Sequence, residues 1–157
     1  MKIIQSPTIH WIKYPISEYI SECKSDIEAL IAFALGNVSL KKEVNIFCMG
    51  SSGAILATFL FLALEKKHKV LIIHVKKDGE ISHGANVSSF NQSASHIFID
   101  DFIDTGNTLE ICLKKVRRSA GNNTFKFNYI ITGSSCKGYT LKDDFEGAET
   151  WIVAAPR

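Results

Sequence analysis

Ile97-Phe-Ile-Asp-Asp-Phe-Ile-Asp-Thr-Gly-Asn-Thr108 is the stretch on which the fold turns. Residues 96–100 read as a buried strand, and an apolar strand that ends in Asp100-Asp101 is costly unless both carboxylates emerge into a polar site. Asp104 follows, and then Thr105-Gly106-Asn107-Thr108 opens a helix predicted over residues 107–118. A helix amino terminus presents unpaired N–H groups and the positive end of a dipole. Two threonine hydroxyls add donors, so the loop suits a phosphate monoester. Carboxylates beside such a loop fit a ligand that also carries sugar hydroxyls or a magnesium ion.

Working outward, residues 44–48 form a second apolar strand, which runs into the small-residue turn Met49-Gly-Ser-Ser-Gly53. Residues 54–64 then read as a helix apolar on nearly every face, hence deeply buried, and residues 69–75 as a strand of the fully buried parallel kind. Upstream, Ser25-Asp-Ile-Glu28 is a capping-box pattern. Ile27, Leu30, Ile31, Ala34 and Leu35 give it an amphipathic helix that ends at Gly36-Asn37. Downstream come strands at 125–132 and 151–155. Residues 76–95 lose all periodicity, as a functional lid does. The alternation of strands and helices predicts an α/β fold with a mainly parallel twisted sheet. Ligands of such sheets sit at the carboxyl ends of the strands, where both small-residue turns fall.

The chain has 157 residues, 46% hydrophobic and 22% charged, which supports one domain over residues 1–157. A net charge of +2 argues against a nucleic-acid partner. The lysines at 66, 67, 69, 76 and 77, and the cations at 114, 115, 117 and 118, read as solvated helix ends. Neither a signal-peptide core nor a run long enough to span a bilayer is visible, so a cytoplasmic protein without a membrane partner is expected. Cys23, Cys48, Cys112 and Cys136 lack metal-ligand spacing; three of the four sit in apolar or helical surroundings, so buried, reduced thiols are expected.

Two acidic residues, two apolar ones and Asp-Thr-Gly-x-Thr, behind an apolar strand, resemble the signature of the type I phosphoribosyltransferases. That resemblance implies the fold of the family, with a flexible loop over residues 76–95 and a base-binding hood over 133–157. It implies that Asp100 and Asp101 hold the ribose hydroxyls of phosphoribosyl pyrophosphate and face magnesium brought by that substrate. Thr105, Gly106, Asn107 and Thr108 would wrap the 5′-phosphate, and Asp104 would be the catalytic group near the attacking base. Gly50, Ser51, Ser52 and Gly53 occupy the place of the pyrophosphate loop, although many members carry an Arg where Ser52 stands. Lys76, Lys77 and His83 would reach the pyrophosphate from the flexible loop, whereas His83 taken alone reads as a surface residue.

The carboxyl-terminal part resembles the bacterial xanthine-guanine phosphoribosyltransferases, through residues 138–145, Glu149-Thr-Trp-Ile152 and Pro156. By that resemblance Trp151 stacks on a purine, Ile152 reads its edge through the backbone, and Phe145 is the alternate. Trp151 and Phe145 also read equally well as core aromatics. The Lys expected just past Thr132 is replaced by Gly133-Ser-Ser-Cys136, with Lys137 displaced, and Arg157 stands where the subfamily has an Asp. The implied function is transfer of a phosphoribosyl group to a nitrogenous base, in a homodimer or homotetramer. A non-catalytic regulator of the same fold, binding the donor or a nucleotide, is the alternative.

Overall fold

A computed structural model describes residues 1–6, 16, 19–76, 89–103, 105–135 and 145–154. Six strands and three helices follow in the order β1 (Lys2–Ser6), α1 (Ile20–Gly36), β2 (Glu43–Cys48), α2 (Gly50–Leu64), β3 (Lys69–His74), β4 (Ser95–Ile103), α3 (Asn107–Ala120), β5 (Phe127–Ser135) and β6 (Ala148–Ala154). The strands form one sheet in the order β1-β6-β5-β4-β2-β3, and each pairing is parallel. The strand order reverses between β2 and β4. Their carboxyl ends therefore flank the crevice where an open parallel sheet binds its ligands.

Alternation along the strands divides the core into two layers. Ile46, Ile97, Ile99, Ile131 and Ile152 face α1 and α2. Phe47, Phe98, Ile130, Trp151 and Val153 lie on the other face, under Leu109, Cys112, Leu113 and Val116 of α3. Those four positions repeat at helical spacing, and α3 ends on Gly121, whose φ of 61° suits glycine. Each fully buried Phe or Ile in these layers stabilises the fold by about 1.5–3 kcal/mol.

Several elements depart from the sequence reading. The capping box at Ser25 is not used, because α1 begins at Ile20 and Cys23 extends its buried stripe towards the amino terminus. The helix predicted over 54–64 is not buried all round. Leu62 is 56% exposed, and only one side, formed by Gly53, Leu56, Ala57, Leu60 and Leu64, faces the sheet. Strand β3 is not fully buried either, since it takes the edge of the sheet and leaves Leu71 exposed. Residues 89–94, assigned to the lid, belong to the folded body: Phe90 and Ala94 are buried, and the Asn45 amide donates to the Asn91 carbonyl at 3.0 Å. Residues 77–88 lie outside the described residues. Cys23, Cys48 and Cys112 are buried free thiols, as expected.

At the amino end of β4, His96 is enclosed by Phe47, Phe90 and Phe125. Its ring nitrogens meet the Asn45 amide at 3.3 Å and the Gln92 carbonyl at 3.0 Å. Burial, the largest cause, pulls its pKa below 6.5. The unfolded chain therefore takes up a proton first as the pH falls. The neutral ring's contribution is complete above 6.5 and declines below it. Melting temperature is expected to fall between pH 7 and pH 5 with a component absent from His96→Phe; identical pH profiles for the two proteins would refute this role.

Candidate functional site at the switch point

Strand β4 carries its acidic end into a cleft of about 450 Å³. Met49, Gly50, Ser51 and Ser52 line it from the end of β2 and the start of α2, and Asp100–Ile103 and Thr105–Leu109 from β4 and α3. Two helices thus begin at one cleft. The turn after β2 is not a loop preceding a helix, as the sequence suggested, but the first turn of α2, with Gly50 at φ 68°. Gly53 comes so close to the strand end that a Cβ there would lie 3.4 Å from Ile99 O and 3.5 Å from Asp100 Oδ1.

On the other wall, Gly106 caps α3 with φ 76°, a left-handed conformation that L side chains adopt at a cost. Thr105 Oγ1 accepts the Asn107 N–H at 3.3 Å, and Gly106 O accepts the Glu110 N–H at 3.0 Å. The remaining amides at the two helix starts, with their dipoles, make the cleft suited to anions.

Asp100 and Asp101 are 9% and 4% exposed. Asp100 Oδ1 accepts the Asp101 N–H, and Asp101 Oδ1 accepts the Phe102 N–H, each at 3.0 Å. Asp101 Oδ2 is buried without a hydrogen bond. Burial first, then the Asp101 charge, pushes the Asp100 carboxyl up to about 8. Burial also raises Asp101, while the Asp100 and Ser52 side chains favour its charged form and oppose the rise. Asp100 therefore costs stability at neutral pH. Its pKa is higher folded than unfolded, so the cost grows as the pH rises from 3.8 to about 8. Asp100→Asn is expected to raise the melting temperature at pH 7.5 by several degrees and to leave it unchanged at pH 3.5. A variant no more stable than the parent at pH 7.5 would contradict this.

The structure brings Asp100, Asp101, Thr105, Gly106, Asn107, Thr108, Gly50, Ser51 and Ser52 together. Lys76 is exposed and does not line the cleft; its carbonyl accepts from Lys115 Nζ. Asp104, Lys77, His83, Lys137 and Arg157 lie outside the described residues.

The expected base-stacking ring is not found open. Trp151 is 2% exposed and donates its indole N–H to Thr132 Oγ1 at 2.6 Å, in the layer beneath α3. Ile152 is buried on the opposite face, and Phe145 packs against the α3 layer. The physical reason is register: Trp151 pairs with Ile130, and the acidic strand end lies level with Thr132 and Val153, so Trp151 stands below the cleft floor. Met49, Phe102, Ile103 and Leu109 also line the cleft and escaped the sequence reading. They carry no chemical pattern, and only the reversal of strand order places them there.

Neither a protein-family model nor a curated protein sequence matches the chain. Solved structures do match. The adenine phosphoribosyltransferase of Trypanosoma brucei, in complex with AMP, pyrophosphate and ribose-5-phosphate, aligns with a TM-score of 0.57 at 13% identity, over 96% of this chain and 74% of that one. A purine phosphoribosyltransferase of Pyrococcus horikoshii gives a TM-score of 0.51 at 17% identity, over 99% and 89% of the two chains. The xanthine-guanine-hypoxanthine enzyme of Helicobacter pylori gives 0.52 at 16%, over 98% and 88%. The chain has the type I phosphoribosyltransferase fold.

Proposed function

We propose that this protein is a phosphoribosyltransferase that moves the 5-phosphoribosyl group from phosphoribosyl pyrophosphate to a purine base and releases pyrophosphate. One observation carries the reading: a buried acidic pair and two helix amino termini share the cleft at the strand-order reversal. A phosphate alone leaves the buried Asp100 and Asp101 carboxyls without a partner. A sugar phosphate is suited to both halves, with its hydroxyls donating to the carboxylates and its 5′-phosphate on the amides from Thr105 to Thr108. The Gly50–Gly53 turn is the candidate cradle for the pyrophosphate, joined by Lys76, Lys77 and His83. Asp104 is the candidate for handling the base proton, and Lys137 and Ile152 remain candidates for the base edge. Trp151 and Phe145 would reach a base only after leaving their packed positions.

Magnesium fits this site as a companion of the donor. Among the described residues no group of three His, Cys, Asp or Glu side chains could hold a metal ion. Asp100 and Asp101, with the unpartnered Oδ2, suit an ion already held by donor oxygens. Such an ion would neutralise the pyrophosphate as it leaves. None of the described cleft residues is basic, which makes that neutralisation more important.

The same feature, with Ser52 where many relatives of this fold carry Arg, favours a second reading: a regulator that binds the donor without turnover. A pyrophosphate-release assay with donor, magnesium and a panel of purines separates the two. Release with at least one base is expected. Donor binding with no release from any base would establish the regulator. No helix among the described residues is long and apolar enough to cross a membrane, and the protein is proposed to act in the cytoplasm on small molecules, as a homodimer or homotetramer.

A further inference from the structure

Asp101 Oδ2 is the only side-chain oxygen or nitrogen lining the cleft, among the described residues, that is fully buried and lacks a hydrogen bond. A carboxylate oxygen left in that state is costly, and it has lone pairs to offer a donor. The start of α2 lies against the acidic end of β4: a Cβ at Gly53 would stand 3.4 Å from Ile99 O and 3.5 Å from Asp100 Oδ1, immediately before Asp101 in the strand. Ser52 lies in the first turn of α2, lines the same cleft, and is half-buried. A serine hydroxyl rotates freely about one bond and can donate to a carboxylate without any shift of the backbone.

We infer that Ser52 is a positioning residue for the ribose: it acts through Asp101 Oδ2, aiming that carboxylate at the sugar hydroxyls, and its side chain does not contact the pyrophosphate. This rests on the proposed phosphoribosyl site and deepens it. A short hydroxyl pointed at a carboxylate does work that a long cation pointed at the pyrophosphate cannot do. The pyrophosphate is then left to backbone amides and to its magnesium.

Three ligands divide the alternatives, each titrated calorimetrically with magnesium into wild type, Ser52→Ala and Ser52→Thr. Ser52→Ala is expected to weaken ribose 5-phosphate and phosphoribosyl pyrophosphate equally, by about five- to tenfold, the scale of one hydrogen bond to a charged group. Inorganic pyrophosphate should bind the variant as it binds wild type, and Ser52→Thr should restore the parent affinities. Weakening confined to the two pyrophosphate-bearing ligands would overturn the inference, as would unchanged binding of all three. If wild type binds neither ribose 5-phosphate nor the donor, the phosphoribosyl reading itself fails and takes this inference with it. That outcome is distinct because it shows in the parent protein.

Discussion

Asp104→Asn is expected to lower the turnover number by about two to four orders of magnitude and to change the donor's dissociation constant by less than about threefold. The neighbours on either side, Ile103 and Thr105, both line the cleft, between the acidic strand end and the phosphate loop. A carboxylate in that stretch is suited to act on the base or on the charge that develops at the sugar, and both exist only as the reaction proceeds. The asparagine keeps the size and removes the proton acceptor. Asp101→Asn is the contrasting variant, because it removes a carboxylate assigned to the ground-state ribose and should weaken the donor. Single-turnover rates and donor titrations on both proteins check the division. Equal losses of donor affinity, with turnover of bound donor intact, would undo it.

Trp151→Ala is expected to cost about 3–5 kcal/mol of folding stability, the range for emptying a large aromatic site in a packed core. The ring lies under α3 with Leu113 and Val116, and its N–H satisfies the buried Thr132 hydroxyl. Trp151→Phe keeps part of the packing and should cost about 1–3 kcal/mol, chiefly for the indole donor lost from Thr132. Chemical denaturation midpoints measure both. A Trp151→Phe protein as stable as its parent, with only its affinity for the base changed, would contradict the core assignment and restore the stacking role.

These two residues also show what could be read from the sequence. The strand ending in Asp100-Asp101 and the loop from Thr105 to Thr108 were legible because their chemistry is contiguous: apolar residues, acids and a helix opening follow one another along the chain. Trp151 was ambiguous because its role depends on register. One strand position decides whether an indole floors a cleft or fills a core, and the register is set by pairing with β5 and β1. Strand β1 itself was invisible, since five residues with mixed exposure carry no clear alternation. The exposed sides of α2 and β3 were misjudged for a related reason. Their composition is largely apolar, and only the packing of α2 on the sheet and the edge position of β3 show which faces are left uncovered. Met49 and Phe102 became visible as cleft residues only once the strand order was known.

Isothermal titration of phosphoribosyl pyrophosphate into the wild-type protein, with magnesium and again with the metal chelated, tests the central claim most directly. The acidic pair and the two helix starts predict saturable one-site binding with magnesium, and binding at least tenfold weaker without it (roughly 1.4 kcal/mol). No heat of binding under either condition would contradict the assignment of this cleft to a phosphoribosyl donor.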